Sequence, residues 1–245
     1  MDRITNRFVC YESYDWDRIH DLINDENVKG ILLGDLFCHE RMFENGVADL
    51  ILMIKSVLES DKVLVYQAPL FVTSRNIREV RSVLGLISEA AKESFVIVQD
   101  FGTADMVARD FGKLKLVWGQ LGRVRELRFS DPFLAFLKDR GFYGFETGDD
   151  GMIARLREFD LVPFVTASFF TYKTLGRECY LKYQTGKCDP TLCRSGCYKL
   201  KALQADYEMT IDGYMMGKSY CYLPDKKIRA IEKEEGIVLI TKEEA

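Results

Sequence analysis

Along most of the chain, short β-branched or aromatic runs alternate with longer stretches in which apolar residues recur every three or four positions. Phe8–Tyr11 reads as a first strand, followed by a helix over 15–23 with Ser13 or Asp15 as its cap. Gly30–Leu33 is a buried strand, and after the loop 34–41 a helix runs over 44–59. Strands at 63–68 and 95–99 bracket a helix over 74–93, and another helix opens near Thr103. The rhythm continues with strand 114–118, helix 131–140, strand 142–147, helix 150–159 and strand 161–167. Near-continuous apolar strands between amphipathic helices are the pattern of a parallel sheet whose strands are buried on both faces.

Seven strands of this kind before residue 168 favour a TIM-like (β/α)8 barrel over an open sheet, incomplete at its C-terminal end. Residues 206–222 read as a hairpin, 225–235 as helix-like and 236–241 as a last strand, after which no length remains for an eighth outer helix. Residues 1–245 are therefore read as one barrel domain, carrying a cysteine-rich metal-binding loop at about 168–200. A strand lacking its outer helix would leave an apolar face, which predicts an interface with a partner protein.

Composition narrows the chemistry. The chain of 245 residues is 47% hydrophobic, enough for one large core. The first twenty residues lack the apolar core of a signal peptide, and no run of eighteen apolar residues occurs, so a cytoplasmic protein without a membrane span is expected. In that compartment the seven cysteines, an odd number, argue for metal or redox chemistry over a disulfide framework. The net charge of −4 gives no global case for nucleic-acid binding, though it leaves room for a local basic patch.

Four cysteines, Cys179, Cys188, Cys193 and Cys197, are concentrated in one segment, the last three among Gly, Asp, Pro and Ser. Turn-forming residues allow several thiolates to converge on one point, as zinc and iron-sulfur sites require. The barrel pattern also puts Cys38, just after the second strand, on the same rim as the segment after the seventh, since both follow C-terminal strand ends. The two segments are expected on opposite sides of that rim. No CxxC pair occurs, which weighs against a structural zinc site.

Two stretches resemble the peptidase family U-32 (collagenase-like) proteins. Gly176-Arg-Glu-Cys-Tyr-Leu-Lys-Tyr-Gln-Thr-Gly186 is similar to that family's arginine-cysteine-tyrosine-leucine stretch. Leu33-Gly-Asp-Leu-Phe-Cys-His-Glu-Arg41 resembles the strand-two loop of the smaller iron-sulfur subunit in the pair that hydroxylates ubiquinone without oxygen. The resemblance implies a barrel holding a 4Fe-4S cluster on Cys38, Cys179, Cys193 and Cys197. It also implies a role, as enzyme or enzyme subunit, in anaerobic hydroxylation of a quinone precursor or an RNA base, with a second protein of the same family as partner.

The chain departs from the family pattern at Phe170, where a cysteine is usual, while Lys218-Ser-Tyr-Cys221 matches a later cysteine position. A second ligand set, with Cys221 replacing Cys38 or Cys193, therefore competes with the first. Cys188 reads as a bystander and Cys10 as a small buried residue. The alternatives to a hydroxylase are a cluster- or zinc-bearing scaffold subunit bracing a partner, and a U-32-type peptidase. For the last there is neither an HExxH helix nor a GxSxG elbow, and the histidines are His20 and His39.

His20 falls on a helix and is expected at the surface. His39, beside Cys38, is either a residue that contacts a cluster or passes a proton to substrate or a solvent-exposed loop histidine, and Arg123, at or just after a strand end, is a candidate for a carboxylate or phosphate. Arg177 would suit the same partners, prephenate being one conceivable acidic substrate that the resemblance suggests. Asp35, Gln67, Gln99, Asp100, Gln120 and Glu146 also fall at or just after strand ends, where each is either a pocket residue or a helix cap.

Overall fold

The computed structural model describes residues 6–10, 16–34, 47–69, 72, 76–90, 92–119, 130–147, 150–167, 171–175, 203–204, 213–216, 219–222 and 238–242, with side chains within 19–165. Strand β1 (Asn6–Cys10) leads to helix α1 (Trp16–Asn24), β2 (Gly30–Leu33) to α2 (Val47–Glu59), and β3 (Val63–Gln67) to α3 (Ile77–Glu89). The same alternation continues through β4 (Ser94–Val98), α4 (Phe101–Asp110), β5 (Lys115–Trp118), α5 (Asp131–Asp139), β6 (Gly144–Thr147), α6 (Asp150–Glu158) and β7 (Val162–Ala167).

Neighbouring strands from β1 to β7 pair in parallel, and the last strand, β12 (Val238–Lys242), pairs in parallel with both β1 and β7. The order β1-β12-β7-β6-β5-β4-β3-β2 thus curls round and closes, a TIM-like α/β arrangement. Each of β1 to β6 is followed by a helix, whereas between β7 and β12 no helix is among the described residues. No described helix is long and apolar enough to cross a membrane.

The segment between β7 and β12 differs from the sequence expectation. Residues 171–175, expected to open the cysteine-rich loop, form strand β8 (Thr171–Leu175). It joins β9 (Leu203–Gln204), β10 (Gly213–Met216) and β11 (Ser219–Tyr222) in an antiparallel sheet ordered β8-β11-β10-β9. The expected hairpin is therefore present as β10 and β11, in a shorter span. The run Thr-Tyr-Lys-Thr-Leu carries the β-formers of a strand, which outweigh the turn residues beginning only at Gly176. Residues 176–200 and the helix expected over 225–235 lie outside the described residues.

Strand parity divides the core into two layers. Ile31, Leu33, Leu64, Tyr66, Val96, Val98, Trp118 and Phe145 face outward and pack under the helices with Leu50, Ile54, Val80, Leu84 and Leu137. Burial of Tyr66 among them pushes its phenol pKa well above the usual value, so the ring is held neutral. Leu32, Val65, Phe95, Ile97, Val117 and Phe164 alternate with these and fill the barrel interior.

The interior is graded along its axis. At the N-terminal end, Lys115 lies over the Tyr143 ring at 4.4 Å and pairs with Glu93, sealing the floor. Above it, Phe95 meets Tyr143 at 5.2 Å and Phe164 at 5.3 Å between ring centroids. Phe164 lies over Gly144, whose missing Cβ would fall 2.7 Å from that ring and 2.5 Å from the Val162 carbonyl oxygen. Glycine in β6 is therefore what admits a phenylalanine from β7.

Candidate site at the C-terminal rim

At the other end of the interior the inward positions turn polar. Gln67 continues the inward series Val63, Val65; Gln99 continues Phe95, Ile97; Glu146 pairs in register with the inward Phe164. Only 2% of Gln67, 4% of Gln99 and 1% of Glu146 is exposed to solvent. Polar groups taken from water to this degree cost several kcal/mol unless they are hydrogen-bonded, roughly 2–7 each.

Glycines hold the glutamines in place. A Cβ on Gly119, just after β5, would lie 2.0 Å from Nε2 of Gln99, so the amide rests directly on that backbone. Gly34, just after β2, has φ +142°, and a Cβ there would come within 2.4 Å of the Gln67 carbonyl oxygen. Nε2 of Gln67 reaches the Ala68 carbonyl oxygen at 3.4 Å, a long contact. Gly34, Gln67, Gln99, Gly119 and Glu146 thus come from five consecutive strands and form one arc of the rim. Sequence reasoning identified the three polar members but missed both glycines: their place after a strand was visible, but not that Gly119 would meet the Gln99 amide and Gly34 the Gln67 main chain.

Asp100 has a different role. Its carboxylate accepts from the Thr103 backbone N–H at 2.8 Å and from Thr103 Oγ1 at 2.6 Å, capping α4. The helix accordingly starts at Phe101, ahead of the Thr103 expected from periodicity. Asp100→Ala should lower stability by about 1 kcal/mol, and Asp100→Asn by less, in urea titrations. Equal losses in the two variants would show that the cap hydrogen bond is not what Asp100 contributes. His20 is exposed on α1, as expected of a surface residue.

Cys38, His39, Arg123, Cys179, Cys193 and Cys197 all lie outside the described residues, as do Asp35, Gln120, Arg177 and Cys188. Among the described residues no group of three or more His, Cys, Asp or Glu side chains is arranged to hold a metal. The backbone does fix the strands that lead to the cysteine segments. β2 ends at Leu33 and β7 at Ala167 on the same rim, and Cys38 follows Leu33 by five positions.

β2 and β7 are separated by β1 and β12, three strand spacings or roughly 14 Å along the sheet, in a closed order of eight strands where the largest separation is four, so the two strand ends lie far apart around the rim. Cys10 closes β1 in register with Leu32, and Cys221 lies in β11 opposite Tyr172 of β8. As a donor set, four thiolates suit an iron-sulfur cluster or zinc in chemical type. The chain matches no protein-family model and no curated protein.

Proposed function

We propose that this chain is an iron-sulfur protein with a complete eight-stranded TIM-like barrel, acting as enzyme or enzyme subunit in oxygen-independent hydroxylation of a quinone precursor or RNA base. The observation that carries the reading is the shared rim: β2, which leads into the Cys38 segment, and β7, which leads by way of β8 to the Cys179–Cys197 segment, end on the same rim of one closed sheet, three strands apart. The five chain steps from Leu33 to Cys38 can reach up to about 17 Å when extended, enough for a separation of that size.

In this reading Cys38, Cys179, Cys193 and Cys197 hold a 4Fe-4S cluster, which supplies one-electron chemistry when bound. His39 stands next to a ligand in sequence and would carry a proton near substrate; Arg123, after β5, would bind a carboxylate or phosphate. A second protein of the same family is the proposed partner. The resemblance of the two cysteine segments to U-32 proteins supports these assignments.

Protein purified without oxygen should be brown, with about four irons and four sulfides per chain. One zinc and no sulfide would replace this reading with a zinc-bearing scaffold.

A further inference from the structure

We propose that the N-terminal face of the barrel carries a conformational latch, in which Lys62 and Lys92 each hold the end of the helix in the preceding βα unit. The latch uses no cysteine, so it stands whether or not the metal assignment does.

Helices α4, α5 and α6 carry cations in their own last turns, Arg109, Lys138, and Arg155 with Arg157, where a positive charge complements the negative end of the helix dipole. α1, α2 and α3 carry none. For α1 and α2 the cation comes from the next unit instead. Nζ of Lys62, just before β3, donates to the carbonyl oxygen of Asp25, the residue after α1, at 2.9 Å. Nζ of Lys92, two residues before β4, donates to the carbonyl oxygen of Ser60, the residue after α2. Each lysine thus reaches back by one unit, between neighbouring members of the series β2, β3 and β4.

Burial makes the first of these contacts hard to give up. Lys62 is only 3% exposed, and its ammonium relies on the Asp25 carbonyl and on the Asp61 carboxylate at 3.3 Å. A buried charge that loses one of its partners is left uncompensated, which costs more than the contact is worth when made. The anchor points at both ends are themselves tied to helix ends. The Asp25 carbonyl oxygen also accepts from the Val28 N–H at 3.1 Å. Oγ of Ser60 accepts from the Lys62 backbone N–H at 3.1 Å and donates to the Val57 carbonyl oxygen of α2 at 2.8 Å. The two lysines also share a counter-charge. Burial lowers the Lys92 pKa, the Asp61 carboxylate opposes that shift, and the Lys62 ammonium adds to it.

The arrangement has a direction. α4, α5 and α6 can loosen at their ends without reference to a neighbour, whereas the ends of α1 and α2 are released only when the unit after them lets go. α1 leads into β2, the strand that precedes the Cys38 segment, so the latch ties that side of the barrel to its floor.

Native-state hydrogen exchange on the purified full-length chain, resolved by residue, reads the latch directly. In Lys62→Met the Val28 amide and those of the last turn of α1 should exchange about tenfold faster, the size expected for a hydrogen bond to a charged group, with the Ser60 amide at the end of α2 changed less than about threefold. In Lys92→Met the order should reverse, and Lys92→Arg, which keeps the charge, should retain most of the protection at Ser60. Amides in the last turns of α4, α5 and α6 should stay within about threefold of wild type in every variant. Should Lys62→Met fail to fold, the two variants of the partly exposed Lys92 carry the test by themselves. Equal acceleration at the ends of α1 and α2, acceleration throughout the barrel as from a merely stabilising residue, or none at the helix end that the lysine touches would each overturn the proposal.

Discussion

Cys179→Ala and Cys197→Ala proteins, purified without oxygen, should retain less than about a tenth of the wild-type iron and sulfide, because a cluster missing one of four thiolates is rarely kept. Cys188→Ala and Cys10→Ala should keep the full content. The decisive pair is Cys38→Ser and Cys221→Ser. In register, Cys221 stands opposite Tyr172, at a step where the β8–β11 pairing shifts. A ligand there would tie the cluster to the small antiparallel sheet, and a ligand at position 38 would tie it to the barrel rim. Iron lost from Cys38→Ser and kept in Cys221→Ser supports the rim; the reverse moves the cluster to the sheet and removes the case for His39 as well. An empty site in Cys188→Ala would mean that the ligand set is wrong altogether.

Phe164→Ala should destabilise the fold by about 3–5 kcal/mol, read from the denaturation midpoint at constant slope. The side chain is fully buried, stacks edge-on against Phe95, and occupies the space left by Gly144. Its loss opens a cavity that no flexible neighbour can close, and domains of this size have only about 5–15 kcal/mol in hand. Gly144→Ala attacks the same contact from the other side and should cost about 1–3 kcal/mol by overpacking, since one of the atoms it meets is a backbone carbonyl. Combined with Phe164→Leu, part of that cost should be recovered, leaving the share due to the Val162 carbonyl. A loss under about 1 kcal/mol for Phe164→Ala would show that the interior is not packed as described. By contrast, a Cβ at Gly141 meets nothing within 4 Å, and substitution there strains only its positive φ.

The strands were legible because their signal is local. Gly30–Leu33 is apolar throughout and lies in the sheet with the predicted bounds, and β3 to β7 agree to within one or two residues. Helix starts were less so, since a start is decided by a cap: nothing in periodicity says that Asp100 accepts from Thr103, and α3 begins at Ile77 rather than three residues earlier. β8 was missed because its five residues adjoin a segment whose composition reads as loop. The rim residues Gln67, Gln99 and Glu146 were visible as polar residues at strand ends. That they face inward as one arc, while Asp100 caps a helix, needed the register between strands, which depends on contacts far apart in sequence.

Closure also sets a timetable. β12 alone joins β1 to β7, and residues 168–237 separate it from β7. On the ribosome, seven strands and their helices are synthesised before that strand exists, so the nascent sheet waits with two bare edges, those of β1 and β7. Each edge offers unpaired backbone groups to any other extended chain. The long separation slows the closing step, because the ordering entropy of distant contacts is spent before they are made. Recovery of native protein should therefore be governed less by the packing of the helical layer than by how quickly a five-residue strand finds its slot, and chaperones that shield open sheet edges should raise the yield.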